Sequence, residues 1–253
     1  MNICALIIQS ARTSRVLSVL HWLTLCLILI LPATIGGGWA ESAYAQSADA
    51  AFAPNVNGAV LATEIQPDGK VVIAGSFTQV NGQPRSYLAR LLPNGVLDAS
   101  LNVTLNGEVK TIKLLPDGSM LLGGSFTQAG GVNRYRIARI LPNGQVDGSF
   151  APISESVAYI NGTVWAIEVQ SDNKLLIGGD FSFFYNGANA YSRLVRLNSD
   201  GSLDATFQVA INDSVRTIAV QSTGKLVIGG LFKNINAVSV FRLARLTANG
   251  ALD

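Results

Sequence analysis

Apolar residues in this chain come in short runs bounded by turn formers, and the runs recur in a fixed order. The stretches KVVIAGSF (70–77), SMLLGGSF (119–126), KLLIGGDF (174–181) and KLVIGGLF (225–232) are each preceded by a run starting at Val60, Val109, Val164 or Val215. A third run follows, YLARLL at 87–92, with partners at 136–141, 193–198 and 242–247. A fourth is built on LDASL (97–101), VDGSF (146–150) or LDATF (203–207). Runs of this length, rich in Val, Ile and Leu and bounded by Pro, Asn, Asp and Gly, predict β-strands. The second strand is apolar on both faces, with Val71, Ile73 and Phe77 on one and Val72 and Ala74 on the other. A sheet with such a strand must be covered on both sides.

The aspartates of the fourth run and its weaker copy ADAAF (48–52) are Asp49, Asp98, Asp147, Asp204 and Asp253, spaced by 49, 49, 57 and 49 residues. The longer third interval comes from extra residues between Asp147 and Val164 and between Gly179 and Leu194. A period near 50 predicts an array of like units that cover one another. The expectation is therefore an all-β, β-propeller-like array of four repeats of about 49 residues, each a four-stranded sheet. The repeats span about 53–101, 102–150, 151–207 and 208–253. Four units could close as a small ring. The chain reads instead as part of a longer array, because Asp253 falls before the equivalents of Ala205, Thr206 and Phe207, and losing that Phe forfeits roughly 1.5–3 kcal/mol of burial.

The turns carry their own mechanism. Pro67-Asp68-Gly69, Pro93-Asn94-Gly95, Pro116-Asp117-Gly118 and Pro142-Asn143-Gly144 fit three-residue hairpin loops, with Pro presetting φ and Gly taking the left-handed position. Ser171-Asp172-Asn173 keeps that logic, since Asn tolerates the left-handed region. Such a loop sets Arg90 opposite Asp98, and likewise Arg139 opposite Asp147, Arg196 opposite Asp204 and Arg245 opposite Asp253. Opposed charges across strands contribute roughly 0.2–1 kcal/mol per pair. Repetition in all four units marks these pairs as structural rather than catalytic. The doublets Ala74-Gly75, Gly123-Gly124, Gly178-Gly179 and Gly229-Gly230 read as close-packing positions. No helix start follows them, so they do not read as phosphate-binding loops.

Residues 1–45 have a different pattern. Arg12 and Arg15 precede the apolar core WLTLCLILIL (22–31), and Ala43-Tyr44-Ala45 supplies a cleavage site before Gln46. This is the layout of a secretory signal peptide. The core is about half the roughly 20 residues of a membrane span and is followed by Pro32 and Gly36 to Gly38. A chain cleaved after Ala45 is expected to be secreted, periplasmic or on the cell surface, with no membrane span in the mature chain. Its repeat domain is expected at 46–253.

Composition narrows the chemistry. The whole chain has 253 residues and a formal charge of +2. Cys4, Cys26 and His21 lie in the leader, so the remainder contains neither Cys nor His. That excludes a Ser-His-Asp triad, a cysteine nucleophile, a Cys/His zinc site and a disulfide. The leader takes only Arg12, Arg15 and Glu41 from 18 basic and 16 acidic groups, so the remainder stays near neutral. Nucleic acid is not an expected partner. No residue pattern implies a cofactor or a metal. Asn198-Ser199-Asp200-Gly201 offers oxygens near a glycine but lacks the spaced acids of a calcium loop.

The ensemble of a PDGK-like turn, a strand ending GGSF, an LARL strand and LDxSF resembles the delta-60 repeat family over nearly all of 49–253. That resemblance implies a secreted bacterial protein of β-propeller type with no established general activity. Kelch blades share the four apolar residues before Gly-Gly but require a later Tyr and Trp that are not in place. The Trp-Asp signature of WD40 blades is absent.

Candidate chemistry sits where the period breaks. The insertions of repeat three carry Tyr159, Phe183, Phe184, Tyr185 and Tyr191, with Trp165 close by. Aromatic side chains among Asn, Gly and Ser on loops suit recognition of a glycan or a protein partner. The leading expectation is thus a non-catalytic binding or scaffold module, with further repeats or domains of a longer chain as additional partners. A purely structural spacer is the first alternative. A carboxylate-dependent glycan hydrolase or lyase is the second, with Glu64 and Glu168 at equivalent first-strand positions as its acids.

Overall fold

The computed structural model describes residues 52–150, 158–185 and 188–253, with the backbone alone for 158–159, 183–185 and 188–192. The leader, its cleavage site and the segment 48–51 lie outside the described residues. Every regular element among the described residues is a β-strand.

Each repeat forms one antiparallel sheet, called a blade below. In blade 1 the strand Val71–Gly75 lies between Val60–Ile65 and Leu88–Leu91, and blade 2 repeats this with Val109–Leu114, Met120–Gly124 and Ile137–Ile140. Blade 3 uses Val164–Val169, Leu175–Tyr185 and Ala188–Leu197, and blade 4 uses Val215–Val220, Leu226–Gly230 and Leu243–Leu246. The fourth strand is reduced to a single bridge, Leu91 with Leu97, Ile140 with Val146, Leu197 with Leu203 and Leu246 with Leu252. The aspartate next in line ends it. Asp98 Oδ1 accepts from the Ser100 backbone N–H at 2.9 Å and from its hydroxyl at 2.6 Å, which turns the chain away.

Three-residue loops join the first and second strands. Gly69 N–H donates to the Gln66 carbonyl at 2.9 Å while Gln66 N–H donates to the Lys70 carbonyl at 2.8 Å. Gly69 has φ of 79°, and Asn173 takes the same role in blade 3 at 63°. A bulge then shifts register in every first strand, between Val60 and Ala62, Val109 and Thr111, Val164 and Ala166, and Val215 and Thr217.

The glycine doublets have two separate jobs. At the second glycine, a Cβ would lie 1.9 Å from the Ala59 carbonyl oxygen in blade 1 and 2.0 Å from that of Glu108 in blade 2. Here the bulge brings backbone against backbone. At the first glycine the obstacle is the next blade. A Cβ on Gly123 would lie 2.5 Å from Val164 Cγ1, and one on Gly178 would lie 2.8 Å from Val215 Cγ1. Successive blades therefore face each other, and their first strands neighbour one another in chain order. Three apolar cores fill the seams, and each draws residues from the two blades it joins. Phe77, Phe126, Phe181 and Phe232, one per repeat, are fully buried.

A small second ribbon, unforeseen in the strand pattern, completes each repeat. In blade 1 it pairs Gln79–Val80 with Gln83–Pro84, and its counterparts are Gln128–Ala129 with Val132–Asn133 and Asn234–Ile235 with Val238–Ser239. One asparagine anchors each. Asn57 Oδ1 accepts from the N–H groups of Thr78 and Gln79, both at 2.8 Å, and Asn212 does so for Lys233 and Asn234, both at 2.9 Å.

Candidate functional site

In blade 3 that ribbon has grown. The strands Leu175–Tyr185 and Ala188–Leu197 run on past the blade as one long hairpin, and Ala158–Ile160 adds a third strand. Register sets Tyr159 opposite Phe184 and Ile160 opposite Phe183 on one side. On the other side it sets Phe183 opposite Tyr191 and Tyr185 opposite Ala188. The backbone thus gathers Tyr159, Phe183, Phe184, Tyr185 and Tyr191 into one three-stranded ribbon. Their side chains lie outside the described part of the structure.

Trp165 occupies different ground, at the bulge of its first strand. The Lys110 ammonium lies 5.0 Å from the indole centroid and the Arg216 guanidinium carbon 4.0 Å. These distances are those of cation–π contacts. The indole N–H donates to Asp180 Oδ2 at 2.7 Å, and Arg216 pairs with the same carboxylate at 3.1 Å. Lys110 also pairs with Glu108. Equivalent positions of blades 2, 3 and 4 so build a charged stack across two seams. The alternation of Lys, Trp and Arg at one repeat position was the sequence signal for it.

The paired charges lie inside the seams. Arg90 Nε meets Asp98 Oδ2 at 2.8 Å, Arg139 meets Asp147 at 2.6 Å and Arg196 meets Asp204 at 2.8 Å. Arg245 and Asp253 pair likewise in blade 4, but there the Arg side chain is 51% exposed, against 7% for Arg90. Lys174 adds a second cation to Asp204 at 2.9 Å. Burial opposes ionisation of Asp98 most strongly, yet hydrogen bonds from Ser100 and Arg90 outweigh it and hold the carboxyl at about 2. Asp147 behaves alike, at about 2, through Ser149 and Arg139. Asp204 is held well below the ordinary carboxylate range, burial again being overcome by Lys174, Thr206 and Arg196. Groups so firmly ionised and engaged hold sheets together and are poor proton donors at neutral pH.

The other candidates disperse. Glu168 pairs with Lys113 at 2.8 Å across the seam of blades 2 and 3, while Glu64 stands half-buried at the matching position of blade 1. Asn198 to Gly201 form an ordinary hairpin loop, in which Asp200 Oδ1 accepts from the N–H and hydroxyl of Ser202 at 2.8 and 2.7 Å. No group of three or more metal-type side chains occurs among the described residues. A cavity of about 250 Å³ opens at the loop end of the seam between blades 2 and 3, beside Asp117, Arg139 and Asn173. Leu115, which lines it, stands where blades 1 and 3 place Gln66 and Gln170 beside their arginines.

Blades joined face to face through glycine sockets and paired charges, with first strands adjacent, define a repeat protein of the β-propeller class. Four segments, 66–101, 115–150, 170–207 and 221–253, match the family described as domain of unknown function (DUF5122) beta-propeller. The chain belongs to that family. No curated protein sequence matches it. Among solved structures it is similar to a protein of unknown function from Bacteroides caccae, at 15% identity and a TM-score of 0.37, covering 76% of this chain and 65% of that one. It is also similar to a streptogramin B lyase, at 15% identity and 0.47, covering 77% and 53%. A virginiamycin B lyase from Staphylococcus aureus shows 14% identity and 0.46, covering 79% and 58%. The chain thus spans 53% to 65% of the length of these proteins.

Proposed function

We propose that this protein is an exported, non-catalytic binding module whose blades carry the lengthened ribbon of repeat three to a glycan or a protein partner. One observation carries the reading. Three of the four ribbons are pairs of two-residue strands, whereas the fourth is a three-stranded extension bearing five aromatic residues. A rigid β-scaffold that elaborates one edge in one repeat has the form of a recognition surface. Trp165, flanked by two cations, serves the seams and is left out of the contact set. Export is supported by the leader at 1–45. The hydrolase alternative is weakened because Glu168 is neutralised by Lys113 rather than set against a second free acid.

The test is binding of the exported protein to arrayed bacterial polysaccharides and to surface proteins of its own source, with Tyr185→Ala and Tyr191→Ala beside the parent. Loss of binding in both variants, with an unchanged cooperative unfolding transition, is expected. Binding that survives both substitutions refutes the ribbon as the site. Absence of any binding by the parent leaves the structural spacer as the better reading.

A further inference from the structure

The seam aspartates are not all balanced alike. In blade 1 the Lys70 ammonium stands between two carboxylates, 3.0 Å from Asp68 of the hairpin loop and 3.9 Å from Asp98 of the seam. In blade 3 Lys174 takes the same place, 4.0 Å from Asp172 and 2.9 Å from Asp204. Lys225 of blade 4 lies 2.7 Å from Asp253. Each of these seam aspartates therefore meets two cations, the lysine and the arginine of its own blade. Blade 2 departs from the rule. It keeps the loop aspartate, Asp117, and the seam pair of Arg139 with Asp147, but Ser119 stands at the lysine position. At these positions blades 1 and 3 set two cations against two carboxylates, whereas blade 2 sets one against two.

The unbalanced carboxylate faces the cavity between blades 2 and 3. Asp117 lines that space of about 250 Å³, with Arg139 beside it. Asp117 Oδ1 accepts from the N–H and hydroxyl of Ser119, at 2.9 and 2.6 Å, and Oδ2 has no partner among the described residues. Arg139 is already engaged, by Asp147 at 2.6 Å and by the Ser199 carbonyl, to which Nη1 donates at 2.9 Å. It does not turn to Asp117 without giving up those contacts. Leu115, Val169 and Leu175 supply apolar walls, and Asn173 and Ser199 close the space from the loops of blade 3. At about 30 Å³ for each water of the liquid, such a space has room for about eight heavy atoms.

We propose that this cavity binds a small aliphatic primary amine as its ammonium ion, seated on Asp117 with its carbon stem against Leu115, Val169 and Leu175. The other blades name the chemistry, because each fills the corresponding place with an ammonium of its own. A compact ammonium with three N–H donors repeats the contacts of Lys70. The excess carboxylate turns away an anion, and a hard metal ion takes six or more oxygen ligands, where no group of three metal-type side chains occurs among the described residues. The cavity begins at Leu175, where the long second strand of blade 3 starts, and the aromatic ribbon lies at its other end. The two sites are separate, and failure of one leaves the other standing.

The probe is n-butylammonium, a lysine side chain cut from its backbone. Titrated into the purified protein at fixed ionic strength, it is expected to give saturable NMR shifts at the amides of Asp117, Asn173 and Ser199, with a Kd of about 1 mM. The comparators are n-butanol, which keeps the stem without the charge, and tetramethylammonium, which keeps the charge without N–H donors. Each should bind roughly tenfold more weakly or worse. Ser119→Lys gives blade 2 the lysine of the other three blades and should abolish the shifts. Asp117→Asn nearly keeps volume and retains the oxygen that Ser119 uses. It should weaken binding roughly tenfold with cooperative unfolding intact, and it decides the question if Ser119→Lys does not fold. Absence of saturable shifts up to about a hundred times the expected Kd overturns the proposal. So do equal binding of n-butanol, shifts that persist in a folded Ser119→Lys protein, and an affinity that Asp117→Asn leaves unchanged.

Discussion

Asp98→Asn removes one charge from the seam of blades 1 and 2 while nearly keeping volume. In the folded chain this carboxyl is held at about 2 instead of the ordinary 3.8. That difference is worth about 2.5 kcal/mol of stability at neutral pH. The substitution also leaves the Arg90 guanidinium, 7% exposed, without its counter-charge. It keeps only the Ser100 hydroxyl at 2.8 Å and Gln66 at 3.5 Å as side-chain partners. An orphaned buried charge adds cost, so the expected loss is about 3–4 kcal/mol at neutral pH. The sign with pH follows from the depressed value. Stabilisation is complete above 3.8, fades as pH falls towards 2, and is gone below it. Urea unfolding followed by Trp165 fluorescence measures this, with the midpoint falling and the slope unchanged. The variant and the parent should converge as the pH drops from about 4 to about 2. A loss under about 0.5 kcal/mol at neutral pH, or a gap that persists unchanged to pH 2, refutes the reasoning. Asp253→Asn is the internal control, because its arginine is half-exposed and its loss should be markedly smaller.

Two further substitutions probe the repeat frame. Gly124→Ala sets a Cβ 2.0 Å from the Glu108 carbonyl oxygen, a backbone obstacle that no rotamer relieves, and should cost about 3 kcal/mol or more; Gly148→Ala, with open space around it, should leave the midpoint within about 0.5 kcal/mol, and equal effects would discount the close approach. Asn212→Ala deprives two ribbon N–H groups of their acceptor and should cost about 1–3 kcal/mol, with faster amide exchange confined to Lys233 and Asn234; exchange accelerated evenly over blade 4 would contradict a local anchoring role.

The blade was legible because its signals are local. Alternation, loop chemistry and the offset from Arg90 to Asp98 all follow from one hairpin, and the structure places those strands and that pair accordingly. The fourth strand shrank to a bridge because Asp98 commits its second oxygen to Ser100, a competition invisible to hydrophobic pattern. The two-residue ribbons are not legible as strands, since two residues carry no periodicity. Their signal was the asparagine of VNG, LNG, ING and IND, recurring at 57, 106, 161 and 212. Proximity in the chain places Trp165 with the ribbon aromatics. Its neighbours Lys110 and Arg216 are one repeat away on either side, and only the stacking of blades brings those three side chains together.

That division explains why the novelty of repeat three sits where it does. A seam position answers to three constraints at once: a carbonyl about 2 Å from where a Cβ of the second glycine would stand, a valine over the first, and a buried charge pair beyond. Any insertion there would break contacts on both faces of a sheet. The ribbon answers to one asparagine and one strand pair, and it points past the blade. Blade 3 therefore extends its ribbon strands while keeping Asn161 bound to the Ser182 N–H at 2.7 Å. Its blade half stays in the common register, with Leu176 opposite Arg196 as Val227 is opposite Arg245. Elaboration is least disruptive at the element whose anchoring survives it, and the five aromatics lie on that element.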